Sequence, residues 1–289
     1  MLAGVPQVIT GGEVLSVRHV QRALELWPDD PATWRRMGFW LAVQGRYPPG
    51  SVFKMVVAGA ALEEGAVTPA TEFTDTGSVK AGGFVVNNYE DRVYGEHDFA
   101  RAFASSINTT FAKVGVALGA ETLAEYARDF GFNTELPWQM GGAISSFPSV
   151  GDIDKAHLAQ VSYGQGEVLS SPLNIALVTS AMANDGQIMK PYLVAQIAKR
   201  DGSVLDRTDP DVWLRPVSSE TAATVRDLMV RVVQSGTGTA AALDGVQVAG
   251  KTGTAEVTDD EPHAWFAGFA PADDPRVVVA VLVENAGGG

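Results

Sequence analysis

Ser51-Val52-Phe53-Lys54 sets a hydroxyl and an amine three positions apart. On a helix such positions share a face, so the Lys54 amine can reach the Ser51 hydroxyl. A serine is a weak nucleophile at neutral pH until a base takes its proton. A lysine acts as that base only when uncharged, and burial or a nearby cation lowers its pKa toward that state. Lys251, in Lys251-Thr252-Gly253-Thr254, can supply the cation. The Thr252 and Thr254 hydroxyls, with the Lys251 charge, form a row suited to a carboxylate. Gly253 lets a substrate backbone come close. Ser106-Ile107-Asn108 adds a hydroxyl and an amide that can face the same cleft. A helix beginning near Ser51 also favours negative charge developing at that residue. The chemistry these residues suit is nucleophilic serine catalysis.

Each motif is weak by itself. Ser51 alone reads as a helix N-cap, Ser106 and Asn108 as the cap of another helix, and Lys251 to Thr254 as a polar strand end. The three in this order arise by accident in roughly one chain in a thousand, so the combination is specific. Gly236-Thr237-Gly238-Thr239-Ala240-Ala241 fits GxGxxA but follows a helix pattern rather than a strand, which argues against a dinucleotide site. GxSxG does not occur. The chain has no cysteine, which excludes disulfides, thiol catalysis and cysteine-ligated metal. His19, His97, His157 and His263 stand apart without metal-ligand spacing, so neither metal nor cofactor is expected. A net charge of -13 repels phosphate backbones, and nucleic acid is not an expected partner.

These residues must be positioned by a chain of 289 residues, 46% of them apolar, enough for one large domain with a sizeable core. Val8 to Val17 reads as a short strand. Val20 to Val43 has helical spacing interrupted at Pro28 and Pro31. Tyr47-Pro48-Pro49-Gly50 forces a turn, and Ser51 to Glu64 reads as a largely buried helix. Further helices are expected over Ser105 to Leu118, Glu121 to Phe130, Pro172 to Asn184 and Ser218 to Gln234. The last third changes period. Val246 to Val257, Ala264 to Ala270 and Arg276 to Glu284 read as an antiparallel meander, with Lys251 to Thr254 on an edge strand. The whole is a mixed α/β (α+β) pattern with an antiparallel sheet. No apolar run reaches the length of a membrane span, and the N-terminus lacks signal-peptide character.

The sequence resembles the transpeptidase domain of class B penicillin-binding proteins. Tyr47-Pro48-Pro49-Gly50-Ser51-Val52-Phe53-Lys54 is similar to the family's YPPGSTFK. Gly164-Gln165-Gly166, Ser171-Pro172-Leu173 and Asn184-Asp185-Gly186 resemble its GQG, TPL and ANGG stretches. Gly236 to Ala240 and Val248 to Glu256 resemble GTA and AGKTGTAE, and His263 to Pro271 and Val283-Glu284-Asn285 also fit. The similarity runs from about residue 46 to residue 289. It implies a five-stranded antiparallel sheet flanked by helices plus an all-helical subdomain, the penicillin-binding transpeptidase fold. The expected layout is one domain over 1–289. An α/β subdomain takes in about 1–60 and 165–289, and a mainly helical one about 61–164.

The resemblance also implies roles. Ser51 attacks the penultimate D-alanine carbonyl of a peptidoglycan stem peptide, and Lys54 takes its proton. Ser106 bridges Lys54 and Lys251 and helps pass a proton to the leaving D-alanine. Asn108 holds the substrate amide, and Thr252 and Thr254 bind the terminal carboxylate of the peptide or of a β-lactam. Backbone N–H groups of Ser51 and Thr254 form the oxyanion hole. The expected partners are stem peptides, β-lactam antibiotics and wall-synthesis membrane proteins, on the extracytoplasmic side of a bacterial membrane. The membrane anchor, the N-terminal pedestal and the C-terminal helix of such proteins are expected to be missing from this chain. The rival readings are a D,D-carboxypeptidase or serine β-lactamase, a β-lactam sensor, and a degenerate scaffold.

Overall fold

The computed structural model describes residues 31–137, 140–257 and 260–287. Two compact units divide the chain, Met1–Ala42 and Val43–Gly289, and the second holds every motif above. The first helix, α1, is Pro31–Gln44. Proline stands at its first position, where a missing N–H is tolerated, so Pro31 begins this helix rather than breaking it. The expected strand over Val8 to Val17 lies outside the described residues.

Gly50–Phe53 is a 3-10 turn that runs into α2, Lys54–Glu63. Residues 54 to 61 are all buried, so α2 is apolar on every side except for Lys54 and threads the core. An excursion of four short strands follows: β1 (Glu72–Asp75), β2 (Ser78–Ala81), β3 (Phe84–Asn87) and β4 (Gly95–Asp98). They pair as two antiparallel ribbons, β1 with β4 and β2 with β3. Then come α3 (Phe99–Ala104), α4 (Asn108–Leu118), α5 (Ala120–Asp129), α6 (Lys155–Val161) and α7 (Pro172–Ala183). The helix expected over Ser105 to Leu118 therefore starts later, at Asn108. Ser105 to Ile107 form a turn instead. Ser106 adopts a positive φ of 58° and Ile107 is extended, neither of which a helix allows.

Two more ribbons, β5 (Ile188–Met189) with β8 (Val212–Leu214) and β6 (Gln196–Ala198) with β7 (Val204–Arg207), precede α8 (Ser219–Ser235). Ser218 caps α8 by accepting from the Thr221 N–H, and its own hydroxyl donates to Glu63 at 2.8 Å. The chain finishes with β9 (Ala249–Ala255), β10 (His263–Ala270) and β11 (Val277–Val283), an antiparallel meander in the order β11-β10-β9. Among the described residues this principal sheet has three strands, where the family resemblance implies five; the other strands stay in ribbons of two. β9 is an edge strand, as expected from its sequence. One core joins α2, α4, α5, α7, α8 and the inner face of β10, where Trp265, Ala267 and Phe269 are buried. No described helix is long and apolar enough to cross a membrane.

Candidate active site

Ser51 is held by backbone packing rather than by its side chain. Gly50, just before it, has a φ of 52°, a conformation open to glycine at little strain. The Gly50 N–H donates to the Gly164 carbonyl at 2.9 Å. A Cβ on Gly50 would fall 2.4 Å from the Thr254 carbonyl oxygen, and one on Gly164 would fall 1.9 Å from the Gly50 oxygen. Three backbone segments thus stack with no room for side chains, and the Ser51 turn lies against β9. The Trp265 indole N–H donates to the Pro48 carbonyl at 3.0 Å, and the Tyr47 hydroxyl donates to Glu284 at 2.5 Å. The double proline, the glycine and the aromatic residues flanking Ser51 therefore fix the turn from both sides. Gly253 belongs to the same packing. A Cβ there would meet Val52, Trp265 and the Pro49 oxygen at 3.1–3.2 Å, so what comes close to Gly253 is the Ser51 turn.

Lys54 and Lys251 are both fully buried. The Lys54 amine donates to the Ser106 carbonyl at 2.7 Å, to Ser106 Oγ at 3.1 Å and to Asn108 Oδ1 at 2.7 Å. The Lys251 amine donates to the same Ser106 Oγ at 2.9 Å and to the Thr252 carbonyl at 3.1 Å. Phenylalanine rings complete both environments, Phe111 with its centroid 5.2 Å from Lys54 Nζ and Phe103 5.8 Å from Lys251 Nζ. Among the described residues neither amine forms an ion pair with a carboxylate. Burial, and then the charge of Lys251, hold the Lys54 pKa well below the ordinary lysine value. Burial alone pushes Lys251 down to about 7. Ser106 Oγ has one proton to give. With one lysine neutral it donates to that amine and accepts from the other, a chain along which a proton can move. The bonds of Lys54 run to Ser106 and Asn108 rather than to the Ser51 hydroxyl, so this amine is anchored from the α3–α4 side.

Positive φ at a serine is strained, and such strain persists where surrounding contacts over-determine it. Here the two lysines do so, together with the bond from the Ile107 N–H to the Ala102 carbonyl at 2.9 Å. Asn108, the first residue of α4, also donates to the Asn87 carbonyl at 3.1 Å. Behind it lies a residue that the motifs do not reveal. Asp75 is buried and accepts from Thr109 Oγ1 at 2.7 Å, Asn88 Nδ2 at 2.9 Å and the N–H groups of Tyr94 and Gly77 at 2.8 and 3.1 Å. Burial works to raise its pKa, but those four donors outweigh it and hold the carboxyl below its usual value. Thr252 is nearly buried, and its Oγ1 lies 2.5 Å from Thr237 Oγ1. Thr254 is partly exposed and pairs with Ala264 across the sheet. Ser51, Lys54, Ser106, Asn108 and Lys251 to Thr254 thus come from three segments and meet at one junction of α2, the α3–α4 turn and β9. Thr237, Asp75 and Trp265 are additions from the structure. Thr237 and Trp265 carried a signal as members of stretches that resemble the family's, whereas Asp75 carried none.

Residues 28–289 match the family model of the penicillin binding protein transpeptidase domain. The chain belongs to this family. Among relatives of this transpeptidase domain, the peptidoglycan D,D-transpeptidase PbpA of Mycolicibacterium smegmatis is 39% identical over 258 residues, covering 85% of this chain and 51% of that protein. Stage V sporulation protein D of Bacillus subtilis is 34% identical over 268 residues, covering 89% of this chain and 40% of that protein. The chain spans about half the length of the curated relatives it matches, or less. Among solved structures, the D,D-transpeptidase domain of a peptidoglycan glycosyltransferase from Eggerthella lenta superposes with a TM-score of 0.84 at 37% identity, covering 93% of this chain and 67% of that one. The imipenem acyl-enzyme complex of penicillin-binding protein A from M. tuberculosis gives 0.81 at 33% identity, covering 94% and 62%. The transpeptidase domain is accordingly a mixed α/β fold of helices and antiparallel strands, as its sequence pattern implies.

Proposed function

We propose that this domain is a serine D,D-transpeptidase that cross-links peptidoglycan stem peptides and is acylated by β-lactams. One observation carries the reading: Ser106 Oγ bridges two buried lysines, one of them on the helix that begins beside Ser51. Neutral Lys54 accepts the Ser51 proton as Ser51 Oγ attacks the penultimate D-alanine carbonyl. The oxyanion is held by the N–H groups of Ser51 and Thr254, where one donor is typically worth about 10²–10³ in rate. Collapse breaks the peptide C–N bond. A proton passes through Ser106 to the departing D-alanine amine, leaving an ester on Ser51. An acceptor amine from a neighbouring stem peptide then attacks the ester and restores the Ser51 hydroxyl. Asn108 holds the substrate amide, and Thr252 and Thr254, beside Gly253, hold the terminal carboxylate.

Within the unit Val43–Gly289, the residues up to about 60 and from about 165 onward form one wall of the cleft in this reading, and about 61–164, helices together with the ribbons β1–β4, form the other. The parent protein works on the extracytoplasmic face of the membrane with wall-synthesis membrane proteins. Labelling with a fluorescent penicillin, using Ser51→Ala as control, tests the assignment. A serine-dependent label that is lost slowly is the expected result. Rapid turnover indicates a β-lactamase, and no serine-dependent label indicates a scaffold.

A further inference from the structure

After α8 the chain turns through Gly236-Thr237-Gly238 and passes between the Ser106 turn and β9. The Thr237 N–H donates to the Ala104 carbonyl at 3.2 Å. A Cβ on Gly236 would fall 2.3 Å from that same oxygen, so the two turns are pressed together backbone to backbone. On the other side Thr237 Oγ1 meets Thr252 Oγ1 at 2.5 Å. Thr237 is exposed, whereas only 8% of Thr252 is accessible. Neither the proposed serine mechanism nor the expected carboxylate row uses Thr237.

Two hydroxyls at this distance share one proton between them, and the other proton is free to point elsewhere. We propose that Thr237 is a further positioning residue for the substrate carboxylate. Its hydroxyl fixes the rotamer of Thr252 and takes part in the shared bond. One proton of the pair is then left to donate to the terminal carboxylate of a stem peptide or a β-lactam. The bond to Ala104 ties this arrangement to the turn that carries Ser106, so the carboxylate contact and the proton relay keep a fixed separation. This inference rests on the transpeptidase reading and assigns a carboxylate-recognition role to a residue outside the three motifs.

The test is saturation kinetics of acylation by a penicillin with a free carboxylate, on the folded domain. Thr237→Val is expected to lower the second-order acylation rate about tenfold, within the range for loss of one hydrogen bond to an ion. The change should fall on the pre-acylation binding constant, with the limiting acylation rate within about twofold of wild type. Thr237→Ser should restore the rate. In a Thr252→Val background, Thr237→Val should add no further loss, because it acts through Thr252. Thr237→Ala makes the same deletion without a branched side chain, should the valine variant melt early. Unchanged binding in both deletions overturns the proposal. So do losses that multiply in the double variant, or a fall confined to the limiting rate. A wild-type domain that takes no label defeats the transpeptidase reading itself, and this inference with it.

Discussion

Among the described residues two lysines meet at Ser106 without a carboxylate in ion-pair range, an arrangement that bears on stability and, in the proposed mechanism, on chemistry. Both folded-state pKa values lie below the ordinary lysine value. The folded domain therefore binds fewer protons than the unfolded chain between about pH 7, for Lys251, and the unfolded value of about 10.4. Stability must rise with pH across that window. Lys251→Met removes the burial penalty, so the variant should melt a few degrees above wild type at pH 7, with the gap closing toward pH 10. Melting curves at both pH values check this, and a lower melting temperature at pH 7 refutes it. The same variant should acylate poorly, since function here works against stability. Lys54→Arg puts in a guanidinium that cannot become neutral. It should slow penicillin acylation by about 10²–10⁴-fold, as measured by label formation.

At the scale of elements, the site depends on how closely three backbones approach. Gly164→Ala would drive a methyl into the Gly50 carbonyl, at a φ of 80°. It should lower the melting temperature and slow acylation more than tenfold by displacing the Ser51 turn. Asp75 acts on the opposite wall, beneath the start of α4. Its depressed pKa gives stability that is present above about pH 3.9 and lost as pH falls through the lower folded value. Asp75→Asn should therefore be less stable than wild type at pH 7, with the difference shrinking below about pH 4, a comparison that thermal melts can make. The sequence is eloquent about some elements and silent about others. The α2 helix announces itself through an unbroken apolar run, and the last three strands through period-two spacing between turn residues. The α3–α4 break does not, because Ser106 takes a left-handed conformation that its tertiary bonds to two lysines help to sustain. The ribbons over residues 72–98 are equally hidden, since strands of four residues carry too few positions for a period. Asp75 belongs to no motif, and its donors come from residues 77, 88, 94 and 109.

Across the whole molecule, the bonds that finish the site join residues remote in sequence. Lys54 reaches Ser106 over 52 positions, Lys251 reaches Ser106 over 145, and Trp265 reaches Pro48 over 217. Closing such long loops is slow relative to local helix formation. Catalytic competence is thus the last property a refolding chain acquires. After dilution from denaturant, helical circular dichroism should return first, and the capacity to take a fluorescent penicillin should return measurably later. Simultaneous recovery of the two signals would contradict this ordering. A penicillin probe on this domain accordingly reports more than chemistry: each labelled molecule has brought its final strands home to its first motif.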